Sequence, residues 1–257
     1  MLSIAERHKY ILDKLDKFGF IRITDIADEL KVTKVTIRKD VKILESKGLL
    51  YKVHGSARLA NPHIVDRDLM TKSGLNREAK QRIAARAAQM IVDNDSIMIS
   101  AGSTAYALAE EIHDNLSSLT LNVVTPFLKV SSLLNEMDNI QVEQLGGRVY
   151  KKSFATRGES ASALLANVVC SKFFVGADGI DPDLGITTST IEEAQLSQRM
   201  MKAASKTIVL ADSSKFGQHG FGRIANLEDV DAIITDNAVS PDIRKMIEDI
   251  GIELITV

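Results

Sequence analysis

The chain has 257 residues, of which 45% are hydrophobic and 26% charged, as is typical of a soluble globular protein with one large or two modest domains. We expect no membrane span, because no apolar run is long enough, and no secretory signal, because the N-terminus lacks an apolar core. The single cysteine excludes an internal disulfide framework and favours the reducing cytoplasm. The net charge of −2 divides into +5 for residues 1–60 and −7 for the rest, which predicts that the N-terminal part binds a polyanion.

Three helices followed by a hairpin are predicted for residues 1–59. The first helix covers residues 4–17, and a short extended piece follows it. Thr24 is expected to cap a second helix over residues 25–30, and Thr33 a third helix that ends near Ser46. Residues 49–54 and 57–59 are expected to form two strands around a turn. This order of elements indicates a winged helix-turn-helix, whose third helix reads DNA.

The third helix is amphipathic, and its polar face is basic. Ile37, Val41 and Leu44 recur at i, i+4 and i+7, which predicts one buried face. Lysines neutralise phosphates and an arginine can read guanine, so the other face suits the major groove. The alternative interpretations are a solvated surface helix and a three-helix protein-interaction module. Neither requires the positive charge of the predicted hairpin, which would form the wing. We expect Lys34, Thr36 and Arg38 at base edges, Lys39, Lys42 and Lys52 at phosphates, Thr33 as the cap and His54 in the wing.

The remaining sequence alternates between short apolar strands and helical stretches. Residues 60–75 are interpreted as a linker, and Asn76 is expected to cap a long helix from residue 77 to about residue 93. Seven strands are then predicted at residues 96–100, 119–125, 140–145, 172–177, 207–211, 231–235 and 252–256. Helices are predicted between them at residues 104–113, 126–137, 159–169, 191–204 and 241–250. This alternation indicates an α/β domain over residues 76–257 with a mainly parallel sheet, and thus an α+β two-domain chain.

Polar and glycine-rich turns follow several of these strands. Ligands of open α/β sheets bind beyond the carboxyl ends of the strands, and helix N-termini there favour anions. Each turn alone could be a solvated surface loop, but five of them at matching strand ends predict a small, polar, anionic ligand. The candidate effector-binding residues are Ser100, Gly102, Ser103, Thr104, Thr125, Gly146, Gly147, Arg148, Asp178 and Lys215.

Several motifs resemble those of the DeoR family of bacterial transcriptional regulators. In the N-terminal part these are T-x-x-T-I-R-K-D, L-E-x-x-G-L-L and V-H-G. In the C-terminal part they are G-G-R, F-V-G-A-D-G-I, G-I-T, A-D-S-S-K-F-G and I-I-T-D. The resemblance covers nearly the whole chain and implies a sensor domain related to sugar-phosphate isomerases. One departure is Ser100, which stands where the family usually has the aspartate of Asp-x-Gly-Thr-Thr, so effector recognition is expected to differ there.

Three functions fit these features, and a transcriptional regulator fits best. It would be a repressor of a sugar-catabolism operon that binds double-stranded operator DNA as a homo-oligomer and responds to a phosphorylated sugar. The alternatives are a sugar-phosphate isomerase-like enzyme with an appended DNA-binding head and an architectural DNA-binding protein without an effector. We expect no catalysis, because only Asp178 remains of an isomerase constellation. We expect no cofactor and no metal, because the five histidines are scattered and no cysteine cluster accompanies them.

Overall fold

The computed structural model describes residues 2–18, 20–53, 56–59 and 69–257. The chain divides into two compact units, the first of residues 1–63 and 216–218 and the second of residues 64–215 and 219–257. Each unit has its own hydrophobic core. The winged helix-turn-helix and the α/β architecture expected from the sequence are both confirmed.

The first unit contains three helices and a small antiparallel sheet. The helices are α1 (Ile4–Phe18), α2 (Ile23–Glu29) and α3 (Lys34–Ser46), and the strands are β1 (Phe20–Arg22), β2 (Leu50–Val53) and β3 (Ser56–Leu59). The strand order is β1-β3-β2. The predicted apolar face of α3 is buried, since Ile37, Val41 and Leu44 are at most 2% exposed and pack with Ile11 and Leu15 of α1.

The second unit is built on a seven-stranded parallel sheet with the order β15-β14-β12-β9-β4-β5-β6. These strands are β4 (Ser96–Ile99), β5 (Leu121–Thr125), β6 (Ile140–Gln144), β9 (Cys170–Gly176), β12 (Ala204–Leu210), β14 (Ala232–Thr235) and β15 (Glu253–Thr256). The helices are α4 (Leu69–Gly74), α5 (Arg77–Ala88), α6 (Ser103–Asn115), α7 (Leu128–Leu134), α8 (Glu159–Leu164), α9 (Ile191–Lys202) and α10 (Pro241–Ile250). All seven predicted strands therefore belong to one sheet, and their carboxyl ends lie along one edge.

Five short antiparallel strands were not expected from the sequence. They are β7 (Arg148–Tyr150), β8 (Ala155–Arg157), β10 (Gly179–Asp181), β11 (Gly185–Thr188) and β13 (Gly222–Ala225). The first two pair as a hairpin, and the other three form a separate sheet in the order β10-β11-β13. Both structures follow carboxyl ends of the parallel strands, so they add residues to that edge.

Three local expectations were wrong. Helix α2 begins one residue before Thr24, whose hydroxyl donates to Asp25 instead of capping the helix. Asn76 has a φ of 52° and does not cap α5, because its amide donates to Asp212. Helix α5 ends at Ala88, earlier than the expected end near residue 93.

The predicted linker also needs a correction at its C-terminal end. Residues 69–74 form α4, because the side chain of Leu69 is buried in the core and its N–H donates to the carbonyl of Lys152. Residues 60–68 lie outside the described part of the chain. The described part of the second unit therefore begins at Leu69.

Candidate functional site

The predicted reading helix presents its cations to solvent. Thr33 caps α3, because its Oγ1 accepts from the N–H of Thr36 at 3.2 Å. The exposed residues on this face include Lys34, Arg38, Lys39 and Lys42, and Thr36 is half-buried. Lys52 of β2 is also exposed, whereas His54 lies outside the described residues. The structure thus brings most of the predicted DNA-binding residues onto one helix face.

An acidic residue that the sequence reading missed fixes this helix within the unit. Asp40 of α3 is 3% exposed, and its carboxylate accepts two hydrogen bonds from Arg7 of α1, at 2.8 and 3.0 Å. His8 Nε2 lies 3.3 Å from the same carboxylate. This pairing raises the pKa of Arg7 and orients α3 against α1. The sequence did contain a signal for this contact, because Asp40 is an isolated acidic residue next to the apolar face of a basic helix.

The first strand-end loop combines a structural hydroxyl with a helix N-terminus. Ser100 is buried, and its Oγ accepts from the N–H of Gly176 at 3.0 Å, which joins the ends of β4 and β9. Gly102, with a φ of 142°, precedes Ser103 and Thr104 at the start of α6. The first N–H groups of an α-helix have no intrahelical acceptor, so this turn suits an anion.

Thr125, at the end of β5, is engaged within the protein. Its hydroxyl donates to the carbonyl of Ile99 at 2.7 Å and accepts from the N–H of Phe127 at 3.1 Å. The side chain is fully buried. The role that these contacts support is to hold neighbouring strand ends together.

Asp178, after β9, carries the most elaborate set of contacts. Its Oδ1 lies 2.7 Å from Lys72 Nζ of α4, and its Oδ2 accepts from the N–H of Ser189 at 3.1 Å. The hydroxyl of Thr188 lies 3.4 Å from Oδ2. Burial by itself would raise the pKa of this carboxyl, but Lys72 and Lys215 lower it below the usual value. Asp178 is therefore a buried carboxylate with two lysines near it.

A further buried lysine lies next to this group. Lys80 of α5 is 5% exposed, and its ammonium donates to the carbonyls of Lys72 and Leu75 at 2.5 Å each. Burial lowers its pKa, and Asp212 opposes this effect. Asp212, at the end of β12, is also buried and accepts from the Asn76 amide at 2.8 Å.

The glycine-rich turn after β6 was predicted to bring the cation of Arg148 to the ligand. Gly146, Gly147 and Arg148 are exposed, and the guanidinium of Arg148 lies 5.7 Å from the ring of Tyr150. The buried cation is instead Arg157, the residue that pairs with Arg148 across the β7–β8 hairpin.

Arg157 forms a second polar cluster at this edge. Its guanidinium donates to Thr190 Oγ1 at 2.9 Å and to Glu193 Oε2 at 3.0 Å. Burial raises the pKa of Glu193, although Arg157 acts in the opposite direction. A small, narrow cleft is lined by Ser100, Arg157 and Glu193, among others. The sequence reading missed both charged residues, since neither follows a strand of the parallel sheet directly.

This edge of the sheet therefore concentrates cations and hydrogen-bonding groups. Its lysines and arginine suit a phosphate, and its carboxylates and hydroxyls suit the hydroxyls of a sugar. The residues gathered here are Lys72, Lys80, Ser100, Arg157, Asp178, Thr190, Glu193, Asp212 and Lys215.

Other site types have less support. Cys170 is buried, and burial raises the pKa of its thiol to about 11, as expected for a structural cysteine rather than a nucleophile. Within the part of the chain that the structure describes, no group of three His, Cys, Asp or Glu side chains is arranged to hold a metal ion. The helices of residues 2–18, 20–53 and 69–257 include none that is long and apolar enough to cross a membrane.

Comparisons with known proteins agree along the whole chain. Residues 7–63 match the DeoR-like helix-turn-helix domain, and residues 75–237 match the DeoR C terminal sensor domain. The lactose phosphotransferase system repressor of Lactococcus lactis subsp. lactis is 34% identical over 241 residues, covering 93% of this chain and 94% of that protein. The putative aga operon transcriptional repressor of Escherichia coli O157:H7 is 28% identical over 255 residues, covering 98% and 94%.

Among solved structures, ribose 5-phosphate isomerase A from Methanocaldococcus jannaschii aligns with a TM-score of 0.42 and 18% identity, over 55% of this chain and 54% of that one. The family matches together span both units, and each corresponds to the unit whose geometry is described above. The chain therefore belongs to the DeoR family of transcriptional regulators.

Proposed function

We propose that this protein is a cytoplasmic repressor of a sugar-catabolism operon, whose affinity for operator DNA is controlled by a phosphorylated sugar. The observation that carries the proposal is the exposed row of cations on α3, a helix that is capped by Thr33 and fixed by the Arg7–Asp40 pair. A rigid, basic helix of a winged helix-turn-helix is suited to enter the major groove. Two relatives are named as repressors, which supports repression over activation.

The effector class follows from the charges at the carboxyl edge of the sheet. Lys72, Lys215 and Arg157 offer cations from three different elements, and the start of α6 offers backbone N–H groups. We assign Asp178 and Glu193 as acceptors of hydrogen bonds from hydroxyls of the same ligand. A monophosphorylated sugar has both functional groups. Ser100 is occupied by Gly176, so we do not assign it a direct contact with the effector.

We further propose that the protein acts as a homo-oligomer, a dimer or a tetramer. A single winged helix contacts few base pairs, and paired half-sites are the usual operator of helix-turn-helix proteins. Two linked heads raise the affinity for such an operator, because the second head binds in an intramolecular step.

The test is a binding titration with the purified protein. The DNA upstream of its own gene and of the neighbouring genes would be labelled, and fluorescence anisotropy followed with and without a panel of sugar phosphates. We expect tight, salt-sensitive binding to one fragment and release by one compound. Equal affinity for all fragments would contradict the regulator function.

The same compounds test the isomerase-like alternative. Each sugar phosphate would be incubated with the protein and the products separated by chromatography. A regulator binds its effector and returns it unchanged, so we expect no conversion. Turnover of any compound would support the enzyme instead.

A further inference from the structure

Helix α4 is the first described element after the segment that leads from the DNA-binding unit. Several contacts between described residues hold it on the second unit. Leu69 is buried in the core, and its N–H donates to the carbonyl of Lys152. The ammonium of Lys80 binds the carbonyls of Lys72 and Leu75 at its C-terminal end, and Lys72 forms an ion pair with Asp178. A helix of six residues depends strongly on each such contact.

The ion pair differs from the other contacts because its acceptor belongs to the candidate effector site. The Lys72 side chain is 21% exposed and that of Asp178 is 10% exposed, and their charged atoms are 2.7 Å apart. Asp178 keeps two other donors, the N–H of Ser189 and the hydroxyl of Thr188. If Lys72 moves away, the carboxylate therefore keeps two hydrogen bonds, whereas the ammonium loses its anionic partner and requires another.

We infer that Lys72 is an effector-sensing residue: a bound anion takes its ammonium from Asp178, and α4 loses one of its attachments to the strand end. This inference rests on the proposed function and specifies how that site acts on the chain. A doubly charged phosphate attracts an ammonium more strongly than a single carboxylate does. The contact that the anion breaks therefore lies at the N-terminal end of the described part of the second unit.

Hydrogen–deuterium exchange of the full-length protein tests this directly. The amides of residues 69–75 would be followed alone, with inorganic phosphate, and with a panel of hexose and pentose monophosphates. We expect the bound probe to speed exchange in this segment about tenfold, while the rest of the sheet edge is protected. The Lys72→Met variant should exchange fast without a probe and show no further change. Lys202→Met, an exposed lysine of α9, should behave as wild type.

A double-mutant cycle separates the ion pair from a simple loss of charge. Asp178→Asn should also speed exchange in residues 69–75, and the double variant should be no faster than either single variant. Additive effects would overturn the inference. So would a probe that binds wild type in titration calorimetry but leaves the amide exchange of residues 69–75 unchanged. If no sugar phosphate binds or alters operator affinity, the proposed function fails. The inference then fails with it, even if Lys72→Met alone loosens α4.

Discussion

Arg38 and Lys42 lie one turn apart on the exposed face of α3. Their side chains suit different parts of DNA. A guanidinium presents a planar pair of donors that matches the O6 and N7 of guanine, whereas an ammonium acts as a point charge on phosphate. The two substitutions should therefore have different signatures, although each removes one positive charge.

Arg38→Ala should cost about 1–3 kcal/mol on the operator and relax the preference at one base pair. Lys42→Ala should weaken binding to every sequence alike and reduce the salt slope by about one unit. Affinities for a set of single-base operator variants at several salt concentrations would measure both effects. Lys206→Ala, an exposed lysine on β12, is the control and should change neither. Identical behaviour of the two α3 variants across the operator set would contradict the assignment.

Asp95 is a carboxylate that joins its own turn to the start of β9 at the opposite end of the sheet. It accepts from Lys172 Nζ at 2.6 Å, Ser171 Oγ at 2.8 Å and the N–H of Val92 at 3.0 Å. Burial alone would raise the pKa of Asp95, but these hydrogen bonds lower it below the usual 3.8. A lowered folded-state pKa contributes stability that is present above the unfolded value and lost as the pH falls through the folded one.

Asp95→Asn should therefore lower the free energy of unfolding by about 1–3 kcal/mol at pH 7, and this difference should shrink below about pH 4. Urea denaturation across that pH range would measure it. Asp249→Asn, on the exposed side of α10, is a matched control and should follow wild type. A difference that stays constant down to pH 3 would show that the charge of Asp95 does not contribute.

At the scale of elements, the sequence predicted the parts that depend on local patterns. The inner strands β4, β9, β12 and β14 contain apolar runs buried on both faces. Helix α10 has both a serine cap and a proline in its first turn. The five antiparallel strands have three or four residues each, too few to display an alternation. Each exists only because it pairs with another strand: β7 with β8, β10 with β11, and β13 with the distant β11. Such pairing cannot be read from one segment.

The candidate site shows the same division. Asp178 and Lys215 follow strands of the parallel sheet, so the rule for strand ends was enough to select them. Lys72 and Arg157 come from α4 and from the β7–β8 hairpin, and only tertiary contacts bring them to that edge. The same rule assigned Arg148 to the ligand, but the side chain is exposed beside Tyr150.

The β7–β8 hairpin depends on one glycine. Gly147 has a φ of 122°, and a Cβ at this position would lie 2.6 Å from the carbonyl oxygen of Arg157. Gly147→Ala should therefore destabilise the protein by about 1–3 kcal/mol. It should also weaken sugar-phosphate binding, because the backbone of Arg157 has to move. Thermal unfolding and titration calorimetry would measure the two effects.

The adjacent glycine gives the control for this prediction. A Cβ on Gly146 would meet nothing within 4 Å, so Gly146→Ala should be close to neutral in both measurements. Equal effects of the two substitutions would mean that the glycines act through a shared property, such as direct contact with the ligand, and not through the packing of Gly147 on Arg157.

At the scale of the whole molecule, the N-terminal and C-terminal parts of the chain carry net charges of opposite sign. The first 60 residues carry +5 and the remainder −7, so the acidic unit is repelled by DNA while the basic unit is attracted. This arrangement favours an orientation in which only the reading helices approach the duplex. Control by an effector then requires that two arrangements of the heads differ in their fit to the operator.

If paired heads read paired half-sites, operator affinity should depend on the rotational phase between the half-sites. Inserting about 5 base pairs between them turns one half-site to the opposite face of the duplex, and about 10 base pairs restore the face. We expect the first insertion to weaken binding about 100-fold, since the second head no longer binds intramolecularly, and the second insertion to recover part of the loss. Anisotropy titrations with the three duplexes would measure this. Equal affinity for all three would mean that one head suffices, and control by head spacing would then have to be abandoned.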